Sequence, residues 1–237
     1  GCGTRLGRQV RLLEARRDNY LAAYANLRGE GALAWVDIST GELSVAPCPA
    51  VRLGPDLARL APREVLLAET AERDFGPLVE DAGAALTPLD RGAFDSMSGA
   101  RRLQAAYGVA DLAPFGDFTR AELSAMGALV GYLDATQKGR MPLLHPPRRE
   151  AETDFVAIDA ATRRSLELTE AMGGGRAGSL LAAADRTVTA AGARLLARRI
   201  ATPPRRLDVI HARQAAVAHL VENARQADRL REVLRGI

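Results

Sequence analysis

Three runs of small, β-branched and aromatic residues stand between Tyr20 and Pro47, each bounded by turn formers. Tyr20–Ala25 leads through Arg28-Gly29-Glu30-Gly31 into Ala32–Ile38, and Ser39-Thr40-Gly41 turns the chain into Glu42–Ala46. That spacing predicts three antiparallel strands joined by tight turns. A proline- and glycine-containing loop then opens a helix near Pro55-Asp56, which Pro62 ends. Glu64–Ala68 reads as a short apolar strand, Glu72–Ala82 as a helix and Ala84–Thr87 as another strand. The order β-β-β-α-β-α-β implies a mixed sheet with helices packed on it, an α/β unit.

After Pro88 the pattern turns helical. Helices are predicted over 94–107, ending at Gly108, and over 119–137, with Asp117 or Thr119 as its cap. Met141–Pro147 with its three prolines, followed by the charged run 148–154, breaks the pattern and marks a crossing between units. Beyond it 159–171, 179–185, 190–200, 207–222 and 224–234 suit helix, so the fold class is α/β followed by all-α.

Net charge changes that picture only at the ends. The overall +3 divides as +3 over residues 1–20, −6 over 21–189 and +6 over 190–237. An acidic body with a basic last fifth points to two units with different surfaces, the second suited to phosphate or an acidic partner. Positive charge is arginine throughout except Lys138, a bias that accompanies heavy alanine use and reads first as base composition of the gene. With 47% hydrophobic and 26% charged residues the chain is not a disordered one. Two cysteines, Cys2 and Cys48, cannot build a disulfide framework, and no zinc-site spacing can be drawn. No run of about 18 apolar residues and no signal peptide is seen, so a cytoplasmic location is expected.

Catalytic motifs are sparse. A phosphate-binding loop needs Gly-Lys-Ser/Thr, and Lys138 follows Gln137. Gly173-Gly174-Gly175 follows a predicted helix rather than a strand, which fits a flexible connector better than a dinucleotide loop. His211 and His219 lie roughly 12 Å apart along one predicted helix, too far to share a metal ion. Asp37, at a strand end, could serve a metal-dependent nuclease with Glu42, Glu64, Glu69, Asp74 or Asp90, or could simply bond the backbone of its own turn through Ser39 and Thr40. The arginines at 194, 198, 199, 205 and 206 form either a phosphate-contacting stripe or solvated helix ends, and a basic helical DNA-binding module is a further alternative.

Several runs taken together resemble a known family. Asp18-Asn19-Tyr20-Leu21-Ala22-Ala23, Val36-Asp37-Ile38-Ser39-Thr40-Gly41-Glu42 and Tyr107-Gly108-Val109 with Leu112 and Phe115-Gly116 resemble the connector domain of the MutS family of DNA mismatch-recognition ATPases. Ile158–Leu168, containing Asp159, Thr162, Arg163, Arg164, Leu166 and Glu167, followed by Asp185-Arg186-Thr187-Val188-Thr189 and Gly192, resembles the start of the family's core, or lever, domain. Residues 1–11 do not resemble the family's usual linker and are left unassigned.

The resemblance implies a connector over 12–145 with a ribonuclease H-like mixed sheet, then the first part of a helical lever over 146–237, whose last helices lack their normal partners. It implies no catalytic, cofactor or metal site within these residues. ATP and Mg would belong to an ATPase domain of a longer, DNA-dependent ATPase, expected to be a homodimer that binds mismatched duplex DNA and not membranes. The connector would couple nucleotide-driven rearrangement to mismatch binding and dock MutL. Helix 94–107 is the candidate docking surface, with Arg101, Arg102 and Gln104 as exposed contacts, although a plain solvated face fits the same pattern. Arg163 and Arg164 would tie helices together, and the C-terminal arginines would make backbone contacts with DNA.

Overall fold

The computed structural model describes residues 19–137, 143–151 and 154–236. They divide between residues 152 and 153 into two compact units, each described by itself. Segment 1–11, Lys138 and Pro142 lie outside the described residues.

The first unit is built on one six-stranded sheet. Strands β1 (Tyr20–Leu27), β2 (Glu30–Asp37) and β3 (Leu43–Pro47) form an antiparallel meander. Arg28 and Gly29 join the first two in a two-residue turn with φ of +54° and +88°, the left-handed pair that matches the twist of a tight hairpin. Strands β4 (Glu64–Ala68) and β5 (Ala85–Leu89) add in parallel on the β1 side, and the two-residue β6 (Arg148–Arg149) adds in parallel outside β3. The order is β5-β4-β1-β2-β3-β6.

Both faces of this sheet are covered. Leu21, Ala23, Ala25, Ala34 and Val36 join one core, against helices α3 (Ser96–Tyr107) and α4 (Arg120–Gln137). Tyr20, Ala22, Tyr24, Leu33 and Trp35 join the other, against α1 (Ala50–Leu60) and α2 (Glu72–Asp81). Burial on both sides is why β1 and β2 read as nearly continuous apolar runs instead of alternating ones.

Two sequence expectations shift in this unit, and the choice between two caps is decided. Helix α1 begins at Ala50, not near Pro55, and carries Pro55 inside it. The carbonyl that Pro55 cannot bond belongs to Val51, which is exposed, so water can take it. Helix α4 is capped by Thr119 rather than Asp117: the Glu122 N–H donates to Thr119 Oγ1 at 3.2 Å and the Thr119 N–H to Glu122 Oε2 at 2.8 Å, a reciprocal capping box. The segment 143–151 is not a loose crossing. It donates the His145 N–H to the Gly41 carbonyl and the Glu150 N–H to the Val45 carbonyl, and its Arg148-Arg149 pairs with β3. Residues 146–151, placed beyond the boundary by the sequence reading, therefore belong to the first unit.

The second unit contains α5 (Ala160–Ser165), α6 (Leu180–Ala184), α7 (Ala190–Ala201), α8 (Leu207–Glu222) and α9 (Ala224–Arg235) among its described residues. The helix predicted to run to 171 stops after Ser165 because Glu167 turns left-handed, φ +46°. The Leu180 and Leu181 amides then bond the Glu167 and Leu168 carbonyls. Leu181 and Ala193 are buried, whereas α8 and α9 bury no residue.

Candidate docking helix and arginine segment

Helix α3 is fixed at both ends by local chemistry. Asp95 Oδ1 accepts the Ser98 N–H at 2.7 Å, which holds its carboxyl below the usual aspartate range, and Gly108 closes the C-terminus at φ +65°. Gly99 and Leu103 face α4 and are buried. Arg101 points outward, its guanidinium one turn from the Ser98 hydroxyl at 3.2 Å, and Met97, one turn before it, is 73% exposed.

The other two expected contacts are differently employed. Arg102 is partly buried: it donates to the Ala93 carbonyl at 2.8 Å and lies over Gly131 of α4. Gln104 donates to the Ala110 carbonyl at 2.9 Å and so fastens the loop after the helix. Both are corrections to the expectation of exposed contacts. Met97, which the sequence reading did not single out, is spaced four from Arg101, so the two share one face. Beside Arg102 a cleft of about 530 Å³ opens between α3 and α4, floored by Ala105, Ala106 and Ala128. Tyr132 at its edge is committed to Glu64, which it meets at 2.7 Å; burial and that carboxylate raise the Tyr132 phenol above its ordinary value.

Asp37 is wholly buried at the end of β2, and its partners are those of a turn. Its Oδ1 accepts both the backbone N–H and the hydroxyl of Ser39, and its carbonyl accepts the amides of Thr40 and Gly41. Glu64 accepts from Thr87 and Tyr132, and Asp90 accepts the Gly92 N–H. Among the described residues no group of three or more His, Cys, Asp or Glu is placed to hold a metal ion. The nuclease alternative gains no support from this arrangement. Asn19 also serves the turn region, its carbonyl accepting the Ile38 N–H at 3.2 Å, and Tyr20 is buried.

In the second unit the motif residues knit short helices together. Asp159 caps α5 by accepting the Thr162 N–H at 2.8 Å, which lowers its carboxyl pKa. Arg163, buried, donates to the Ala201 carbonyl at the end of α7 at 2.6 Å, while Arg164 is exposed. Leu166 is half exposed. Glu167 accepts the Met172 N–H at 2.6 Å, and the Ala171 N–H reaches the Gly175 carbonyl, so the glycine run is a built turn. Thr187 donates to Asp185 through both its N–H and its hydroxyl, and the Gly192 N–H donates to the Thr189 cap at 3.0 Å.

The five C-terminal arginines do not make one stripe. Arg206 is paired in a fork with Asp208, which holds that carboxyl below the usual range. Arg194 and Arg198 are partly buried and engaged. Arg199 and Arg205 are exposed. Burial and, second to it, the Arg199 charge hold Arg213 below the ordinary arginine value. No described helix is long and apolar enough to cross a membrane.

The described residues form a mixed-sheet unit with helices on both faces, followed by a helical unit. Residues 19–147 match MutS domain II and residues 161–237 match MutS domain III. The chain belongs to the MutS family. It is 60% identical over 226 residues to a DNA mismatch repair protein MutS of Cereibacter sphaeroides, covering 95% of this chain and 26% of that protein. Identity to the protein of the same name from Paracoccus denitrificans is 62% over 223 residues, 94% of this chain and 25% of the other. That from Dinoroseobacter shibae is 57% identical over 229 residues, 97% of this chain and 26% of the other. The chain thus spans about a quarter of the length of the curated relatives it matches.

Proposed function

We propose that this chain is the connector and the first part of the lever of a DNA mismatch-recognition protein, and that it acts by coupling and docking. The sheet order β5-β4-β1-β2-β3, antiparallel on one side of β1 and parallel on the other, supports a ribonuclease H-like connector. ATP and Mg would bind elsewhere in the longer, homodimeric, cytoplasmic protein, and so would most of the contacts with mismatched duplex DNA. The connector covers residues 19–151 in this reading and the lever begins after them.

The docking surface for MutL is the outer face of α3. The observation that carries it is the pair Met97 and Arg101, exposed one turn apart while Arg102 and Gln104 are held by the fold. A large apolar side chain beside an arginine is the composition that interfaces favour. Binding of the whole chain to the N-terminal ATPase domain of MutL tests it. Arg101→Glu should weaken that binding at least tenfold with thermal stability unchanged. Equal binding moves the surface off this helix, and no binding by either protein removes it as an autonomous docking site. Arg199 and Arg205, both exposed, are the candidates for backbone contact with DNA, which should then weaken steeply as salt is raised.

A further inference from the structure

We propose that residues 143–151 are a detachable strap on the first unit, whose release lengthens the tether leading to the second. The strap runs along the outer edge of β3 but pairs with it only through Ser44–Arg148 and Val45–Arg149. Two consecutive side chains hold it from opposite faces of the sheet. Arg149 Nε donates to Glu122 Oε1 of α4 at 2.7 Å, and Arg59 of α1 donates to Glu150 Oε2 at 3.2 Å. Of the strap's own side chains Leu144 and Pro147 are buried and Leu143 is exposed, and the Tyr107 hydroxyl donates to the His145 carbonyl at 2.8 Å. At the near end Gly41, with φ +77°, has no Cβ to keep the Leu143 carbonyl away; a methyl group there would stand 2.0 Å from that oxygen.

What makes this edge releasable is that its charged receptors, Glu122 and Arg59, keep partners when it leaves. Breaking a buried ion pair is costly chiefly because the remaining charge is stranded. Glu122, buried, would retain the Thr119 N–H on its other oxygen at 2.8 Å. Arg59 would retain Asp56, 3.4 Å away, and the face of Trp35, 5.4 Å from the ring centre. The departing Arg149 side chain is already 44% exposed, so its hydration is half in place. A short edge segment joined by a two-residue ladder and charge pairs is drawn from the low-stability end of a fold. Once free, its nine residues can add up to about 30 Å of reach to the tether. The inference stands on the ladder and the ion pairs and depends on neither the docking surface nor DNA contact.

Amide hydrogen exchange on the whole chain tests it. The His145 and Glu150 amides, bonded to the Gly41 and Val45 carbonyls at 2.9 and 2.8 Å, report the strap, and the amides of β1 and β2 report the core. The double variant Arg149→Gln, Glu150→Gln should raise exchange at the two strap amides at least tenfold relative to the core amides. A relative change under twofold, or an equal rise in both sets, would overturn the proposal, because the strap would then open only with the whole unit. The unsubstituted chain gives an independent reading. In about 1 M salt, where the screening length falls to about 3 Å, the strap amides should speed up at least threefold relative to the core. An unchanged ratio there also sinks the idea.

Discussion

Gly127 of α4 lies so close to Gly99 of α3 that a methyl group on it would stand 2.2 Å from the Gly99 Cα, and one on Gly99 would stand 2.4 Å from the Leu123 carbonyl. The two helices therefore cross backbone to backbone, and that crossing seats α3 on the unit. Alanine at either position gains about 1 kcal/mol of helix propensity but meets backbone that cannot swing aside. Overpacking of this kind costs about 1–3 kcal/mol, and Gly127→Ala should lower stability by that order. Gly54 in α1 is the control: a methyl there meets only the end of Leu78 at 3.7 Å. Gly54→Ala should raise stability by about 0.5–1 kcal/mol. Urea midpoints of the two variants, compared at equal slope, check the opposite signs.

Arg101 and Arg102 are neighbours with different duties. Arg102→Ala removes the bond to the Ala93 carbonyl and uncovers Gly131, so it should cost about 1–3 kcal/mol. Arg101→Ala should stay within about 0.5 kcal/mol of the parent. Thermal unfolding of the two single variants separates them. It also explains why a charge reversal at Arg101 alone is the clean probe of docking.

The alkaline limb of stability should follow the tyrosines. Burial raises the Tyr107 phenol to about 12 and also raises Tyr24 and Tyr132, against an ordinary value of 10.0. In each case the folded state holds its proton more tightly than the unfolded chain. Stability is thus intact below pH 10 and falls as pH rises from 10 toward 12. On the acid side Asp95, Asp159 and Asp208 are lowered from 3.8 by the Ser98 amide, the Thr162 amide and Arg206. Their contribution is present above pH 3.8 and is lost as pH falls below it. Unfolding midpoints across pH should show a plateau between those limits, and tyrosinate absorbance of the folded chain should rise late.

Asp159 offers a local test in the second unit. Asp159→Ala removes the acceptor for the Thr162 N–H and should lower the denaturation midpoint, whereas Asp159→Asn keeps it and should lower it much less. Equal losses in chemical denaturation would show that the charge and not the cap matters there.

The periodicity and turn chemistry of the chain determined a good deal. The apolar runs and the Gly29 and Gly41 turns specify the meander, and the cap of α4 at Thr119 is legible because it stands just before a helical run. The runs Val36–Glu42 and Ile158–Leu168 carried the family, since turn and cap chemistry is local and leaves its residues in order along the chain. What needed the fold was everything that joins distant residues. Which arginine of α3 is exposed depends on where the Ala93 carbonyl and Gly131 lie. Helix α1 starts at Ala50 because an exposed Val51 tolerates Pro55, which propensity alone cannot show. The proline-rich crossing became an edge strand because Glu122 and Arg59 stand at its two sides, far away in sequence. Local bonds are written between near neighbours, while exposure and pairing across a sheet are decided only once the layers have packed.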